Sequence, residues 1–194
     1  MPYEEIVEVI REVTKLDTPV YFNNMEANCH GSPYFGVGKH ILEICPEEIF
    51  NDPMFEPIDF IENKHIGFYH IGLPAKILKR SNGYLCKAVR EQLQKAGIDM
   101  FLDEQLLETF IILHEFGHAH ELFVSYKGNA ERYISETAHE NGYNSYIIKS
   151  NGLGGTEEGL KIHKSSLTEQ YADNFAINHF KQVVEMLSDN HVVF

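Results

Sequence analysis

Residues His114–His118 read HEFGH, and the run that carries them, Glu104 to Tyr126, constrains the chain more than any other stretch. Leu106, Leu107, Phe110, Ile111, Ile112, Leu113 and Phe116 put apolar side chains on most of its circumference, and a helix that is apolar nearly all round is a buried one. Spaced four apart, His114 and His118 project from one face about 40° apart, with Glu115 about 60° further round from His118. Taking two imidazoles and a carboxylate out of water is costly unless they are paired or bound to a metal. The H-E-x-x-H arrangement meets that cost: the imidazoles hold one zinc ion, and the carboxylate takes a proton from water on the metal. The chain holds 11 His, so the motif also arises by chance and needs a second observation beside it.

That observation is the last helix, predicted from Leu167 to Leu187. At 100° per residue its apolar stripe takes in Ala172, Ala176, Phe180, Val183, Val184 and Leu187, and also Glu169 and Asp173. Ala172 and Ala176 are small and let a second helix approach closely. A catalytic zinc takes three protein ligands. Glu169 is the expected third beside His114 and His118, with Asp173 accepting the free ring N–H of a ligating histidine, His114. A purely local role competes for Glu169, because Ser166-Leu167-Thr168-Glu169 matches the S-x-x-E capping box. That role leaves Asp173 unexplained. Other third ligands are His139, Glu136, Glu140 and a Cys86 thiolate. Val124 and Glu121 stand where the metzincin pattern wants His and Gly, so that pattern fails. His120 lies about 160° from His118 and faces elsewhere. Glu121 returns to the ligand face one turn on, as a surface group or one that supports a ligand.

At 194 residues and 43% hydrophobic content the chain is expected to form a single domain, 1–194, with a sizeable core. A formal charge of −13 gives no footprint for nucleic-acid backbone or anionic lipid, so neither nucleic acid nor membrane is an expected partner. No apolar stretch is long enough to span a bilayer, and MPYEEIVEVI lacks the basic start and apolar core of a signal peptide. Cys29, Cys45 and Cys86 are odd in number with no C-x-x-C, which suits reduced thiols. The expected location is therefore cytoplasmic.

Taken in order, the chain predicts an amphipathic helix over Tyr3–Leu16 with Ile6, Ile10 and Val13 inward. Val20-Tyr21-Phe22, Tyr34–Cys45 and Phe60–Ile71 are strand candidates, and Pro46–Phe50 is a single helical turn in a loop. His65 and His70, five apart on a strand, point to opposite faces; His30 reads as a loop histidine and Lys76, Lys79 and Arg80 as a solvated face. A helix over Tyr84–Ala96 closes at Gly97. Asp99 or Asp103 caps the motif helix, and Asn129 a short helix from Ala130 to about Glu140. Strands followed by helices predict an α+β fold. Lys127–Lys164 is polar and glycine-rich, and reads as a long irregular insertion that is either a lid over the site or a tolerated surface insertion.

HEFGH with a downstream E-x-x-x-D, Glu169 to Asp173, resembles the gluzincin zinc metallopeptidases. EQYADNFA after HEFGHAH looks most like the compact ImmA/IrrE-type domains of bacteria and phages, which pair a HELGH-like helix with an E-x-x-A-[ND]-x-F-A helix. Glu169, Ala172, Asp173, Phe175 and Ala176 match that pattern. Glu169 lies 51 positions after His118, more than such domains usually have. The resemblance implies a zincin-like α+β fold: a small mixed or antiparallel sheet packed on the motif helix, with Tyr34–Cys45 as the edge strand that holds extended peptide. It also implies a zinc endopeptidase acting on a protein or peptide substrate, such as a regulator. Glu115 is the expected base, and Tyr143, Tyr146, His139 and His163 are candidate oxyanion donors. The alternative is a catalytically silent domain that binds zinc and a partner.

Overall fold

Asp103 starts the motif helix in extended backbone, where its carboxylate accepts from the Leu106 N–H at 2.8 Å, satisfying a donor that the first helical turn cannot. Asn129 and Thr156 start two later helices the same way, accepting from the N–H groups of Arg132 and Gly159. The computed structural model describes residues 3–18, 20–25, 32–40, 68–154 and 156–190, with side chains over 4–18 and 85–189 apart from Glu104, Ala130, Glu131, Ile134, Ala138 and Gly155. Its helices are α1 (Tyr3–Thr14), α2 (Ala75–Lys95), α3 (Glu104–Val124), α4 (Ala130–Ser150), α5 (Glu157–His163) and α6 (Leu167–Asn190). Between α1 and α2, and in backbone only, β1 (Val20–Met25), β2 (Ser32–His40) and β3 (Phe68–Pro74) pair antiparallel in that order, with Phe22 opposite Phe35 and Phe35 opposite Leu73.

Of the residues with described side chains, 78% are helical and none lies in a strand. The expected α+β, zincin-like fold, with a sheet packed on the motif helix, is corrected accordingly: the body that carries the site is all helical. The physical reason is that its apolar stripes bury one another. Ile6 and Ile10 of α1, Val89 and Leu93 of α2, Phe110, Leu113 and Phe116 of α3, and Phe180, Val183 and Leu187 of α6 form one continuous core. Phe110 and Phe180 meet edge to face with centroids 5.7 Å apart.

Two further expectations change. Helix α2 begins at Ala75, not Tyr84. The segment 127–164 is not irregular: it is α4 and α5 joined by a short turn. Two of its glycines, Gly142 and Gly159, lie inside helices. A Cβ on Gly142 would meet open space, so that residue costs α4 only about 1 kcal/mol of propensity. Gly159 is required, since a Cβ there would collide with the Leu153 carbonyl. Cys29, His30, residues 41–67 with Cys45, the Pro46–Phe50 turn and His65 lie outside the described residues, as do the side chains of His70, Lys76, Lys79 and Arg80. Among the described residues no helix is long and apolar enough to cross a membrane.

The crossing of α3 over α6 positions the site. A Cβ on Gly117 would lie 2.7 Å from the Ala172 Cα and 2.9 Å from its carbonyl oxygen, so the two backbones touch where HEFGH has its glycine. Ala172 and Ala176 are fully buried, as their small size predicted. Gly117→Ala is expected to force the helices apart and destabilise the fold by about 1–3 kcal/mol. A denaturant midpoint unchanged from wild type would contradict so close a crossing.

Candidate metal centre

At the crossing, His114, His118 and Glu169 are all buried, and one nitrogen or oxygen atom from each lies within 4.8 Å of the others. His114 Nε2 is 3.1 Å from Glu169 Oε2, and His118 Nε2 is 3.4 Å from Glu169 Oε1. The rings stand nearly perpendicular, centroids 4.8 Å apart. Each Nδ1 is already engaged: His114 with Asp173 Oδ1 at 2.9 Å, and His118 with the Tyr133 hydroxyl at 3.3 Å. Both Nε2 atoms therefore face the Glu169 carboxylate; with a cation between them, each ring would keep its proton on Nδ1 and turn its Nε2 lone pair to that ion. Two imidazole nitrogens and a carboxylate oxygen are a donor set that suits zinc.

The last helix is capped without using the Glu169 side chain. The Glu169 N–H donates to Ser166 Oγ at 3.4 Å, while the Glu169 carboxylate turns to the histidines. Asp173 is held from three sides. Lys164 Nζ donates to both its oxygens at 2.6 and 2.7 Å, Gln92 Nε2 donates to Oδ2 at 2.7 Å, and His114 takes Oδ1. Burial works against the Asp173 carboxylate, but His114 and Lys164 outweigh it and hold its pKa below the ordinary value. Burial likewise opposes ionisation of Glu169, which His163, His114 and His118 hold well below the usual carboxylate range. In the metal-free protein burial opposes charge on His114 too, yet Asp173 and Glu169 raise its pKa from 6.5 to about 10.

Glu115 is buried beside the cluster. Burial pushes its carboxyl up, and the neighbouring histidines pull it part of the way back. Among the described residues no side chain hydrogen-bonds it, so its oxygens are open to a water or a substrate.

Of the four candidate oxyanion donors, the structure brings one to the cluster. His163, half exposed at the end of α5, has Nε2 3.2 Å from Glu169 Oε2, and that carboxylate, ahead of an opposing burial effect, raises its pKa. Tyr143, Tyr146 and His139 are exposed on α4 and make no bond to the cluster. The rival ligands are also elsewhere. Glu136 pairs with Arg132, the Glu140 carboxylate accepts from the Leu167 N–H, and Cys86 Sγ lies 3.8 Å from the Leu102 carbonyl. His120 turns away, its Nδ1 2.9 Å from the Tyr171 hydroxyl.

Sequence reasoning missed Gln92, Lys164 and Tyr133. A buried Asp173 implied a cation, and Lys164, just before α6, was the available one. Tyr133 left no trace, because it shares the buried side of α4 with Asn144 rather than with an apolar stripe. No family model, curated protein or solved structure matches the chain.

A raised histidine pKa stabilises the fold fully below the unfolded value and loses that contribution as pH climbs through the folded value. The metal-free protein is therefore expected to lose stability between pH 6.5 and about 10 on account of His114. Melting temperatures across that range, compared with His114→Gln, check this: the variant lacks the slope, and equal slopes in both proteins would contradict the assignment.

Proposed function

We propose that this chain is a zinc-dependent endopeptidase that hydrolyses a peptide bond in a protein substrate such as a regulator. The observation that carries the reading is the convergence of both Nε2 atoms on the Glu169 carboxylate while each Nδ1 is engaged elsewhere. The pattern HEFGH with Glu169, Ala172 and Asp173 supports it through its likeness to gluzincin sites; the helical body of the fold does not enter into it.

His114, His118 and Glu169 would hold the zinc, which would supply a Lewis acid and a water that is easily deprotonated. The protein's own groups then move the protons. Glu115, buried and with a raised pKa, accepts a proton from water and returns it to the leaving amine. Asp173 keeps the His114 ring turned with Nε2 inward. Half-exposed His163, 3.2 Å from Glu169 at the edge of the cluster, is the group we assign to donate to a developing oxyanion.

His163 also favours a second reading. A nitrogen 3.2 Å from Glu169 is near enough to become a fourth protein donor, and four protein donors make a closed structural zinc site. The chain is then a silent, zinc-bound domain that binds a partner.

Glu115→Gln separates the readings. The expected result is one zinc per chain by metal analysis, as in wild type, with peptide hydrolysis reduced by about 100-fold or more. Chelation abolishes wild-type hydrolysis. Equal turnover by wild type and Glu115→Gln would end the proposed mechanism; zinc uptake with no turnover by either would favour the silent domain.

A further inference from the structure

Helix α4 is placed by an abrupt reversal. Lys127 and Gly128 both adopt left-handed backbone, φ 54° and 73°, and the Gly128 N–H returns to the Leu122 carbonyl at 2.8 Å. Asn129 then caps α4. This tight turn brings Tyr133 back against α3 only 15 residues after His118. The Tyr133 hydroxyl lies 3.3 Å from His118 Nδ1, and it also acts on the Glu121 carboxylate, whose pKa burial raises while His118 and the Tyr133 hydroxyl pull it part of the way back. Glu121 is itself buried, and its Oε2 has no hydrogen-bond partner among the described residues. A buried carboxylate with an unsatisfied oxygen needs a reason to be there.

We infer that Tyr133 and Glu121 are positioning residues for His118: they form a relay that fixes its tautomer and lends its ring the charge of a carboxylate that does not touch it. The inference rests on the proposed metal site. Proton counting gives the direction. With a cation on Nε2, the His118 ring proton sits on Nδ1 and donates to the Tyr133 oxygen. The tyrosine has one proton of its own, and Glu121 is the acceptor at hand. The chain then runs from His118 N–H to Tyr133, and from Tyr133 O–H to Glu121. His114 gets the same support directly from Asp173. The two ligating rings are thus matched, one by contact and one through a phenol. Segment 127–164 is part of the site on this account, since α4 exists where it does to deliver that hydroxyl.

The bland alternative is packing: the Tyr133 ring stands edge-on to Tyr126, centroids 5.0 Å apart. Tyr133→Phe keeps the ring and removes the hydroxyl, so it distinguishes the two. Zn2+ affinity of the purified chain is measured by competition with a chromophoric chelator, with melting temperature as a control. Tyr133→Phe is expected to bind Zn2+ about 10–100-fold more weakly while melting close to wild type. Glu121→Gln weakens binding less, and the double variant binds no more weakly than Tyr133→Phe, because the two residues act in series. In the zinc-loaded protein the downfield His118 Nδ1 proton signal is protected from solvent exchange in wild type and lost in Tyr133→Phe. An unchanged affinity in Tyr133→Phe, or additive penalties in the double variant, overturns the relay while leaving the metal site standing. A wild-type chain that takes up no Zn2+ overturns the metal site and the relay together.

Discussion

Everything at the site depends on how near two backbones come. Gly117 and Ala172 let α3 and α6 cross in direct main-chain contact, and only at that separation does a glutamate side chain from α6 reach two histidines on α3. A bulkier pair would leave the same polar side chains in the core with nothing to meet. Small residues here do the work that loops do in many sites: they set a distance. Because the crossing is also part of the apolar core, through Phe110, Phe116 and Phe180, the geometry of the cluster is tied to the stability of the fold.

Close approach creates an electrostatic problem and the surrounding helices answer it. Glu115, Glu169 and Asp173 are three carboxyl groups buried near one another. Asp173 is neutralised by Lys164 and oriented by Gln92 and His114. Glu169 is balanced by the histidines around it. Glu115 has no hydrogen-bonding side chain beside it among the described residues, and burial, with the Glu169 charge, raises it further than the histidines lower it. The three acids therefore separate into two that are held ionised, Asp173 and Glu169, and one that is pushed toward its neutral form, Glu115. Neighbours decide the division, since the residue types alone are nearly the same.

Much of this was legible in the sequence where periodicity and chemistry agreed. The motif helix, the inward Ile6 and Ile10, and the apolar stripe of α6 with its two acids follow from spacing, and the Asn129 cap from residue type; the motif helix cap is open in the sequence between Asp99 and Asp103, and the structure places it at Asp103. The choice between Glu169 as cap and Glu169 at the cluster needed coordinates, because Ser166 serves either. What stayed illegible has physical causes. The α+β expectation gave weight to β-prone runs before α2, while the described core is closed by helices. Glycines in 127–164 suggested loops, but Gly142 faces open space and Gly159 is demanded by a carbonyl. Gln92, Lys164 and Tyr133 act through single polar atoms on helices whose periodicity reports apolar burial, so pattern reading passes over them.

His118 and Glu169 stand 51 positions apart in the chain, with α4 and α5 strung between them. An ion shared by these residues would be a knot tied across that span. It would close a loop whose ends an unfolded chain seldom brings together, and its binding energy would become folding energy for everything inside it. Metal supply would then govern more than chemistry at one carboxylate: it would govern how long the α4–α5 hairpin persists as structure at all.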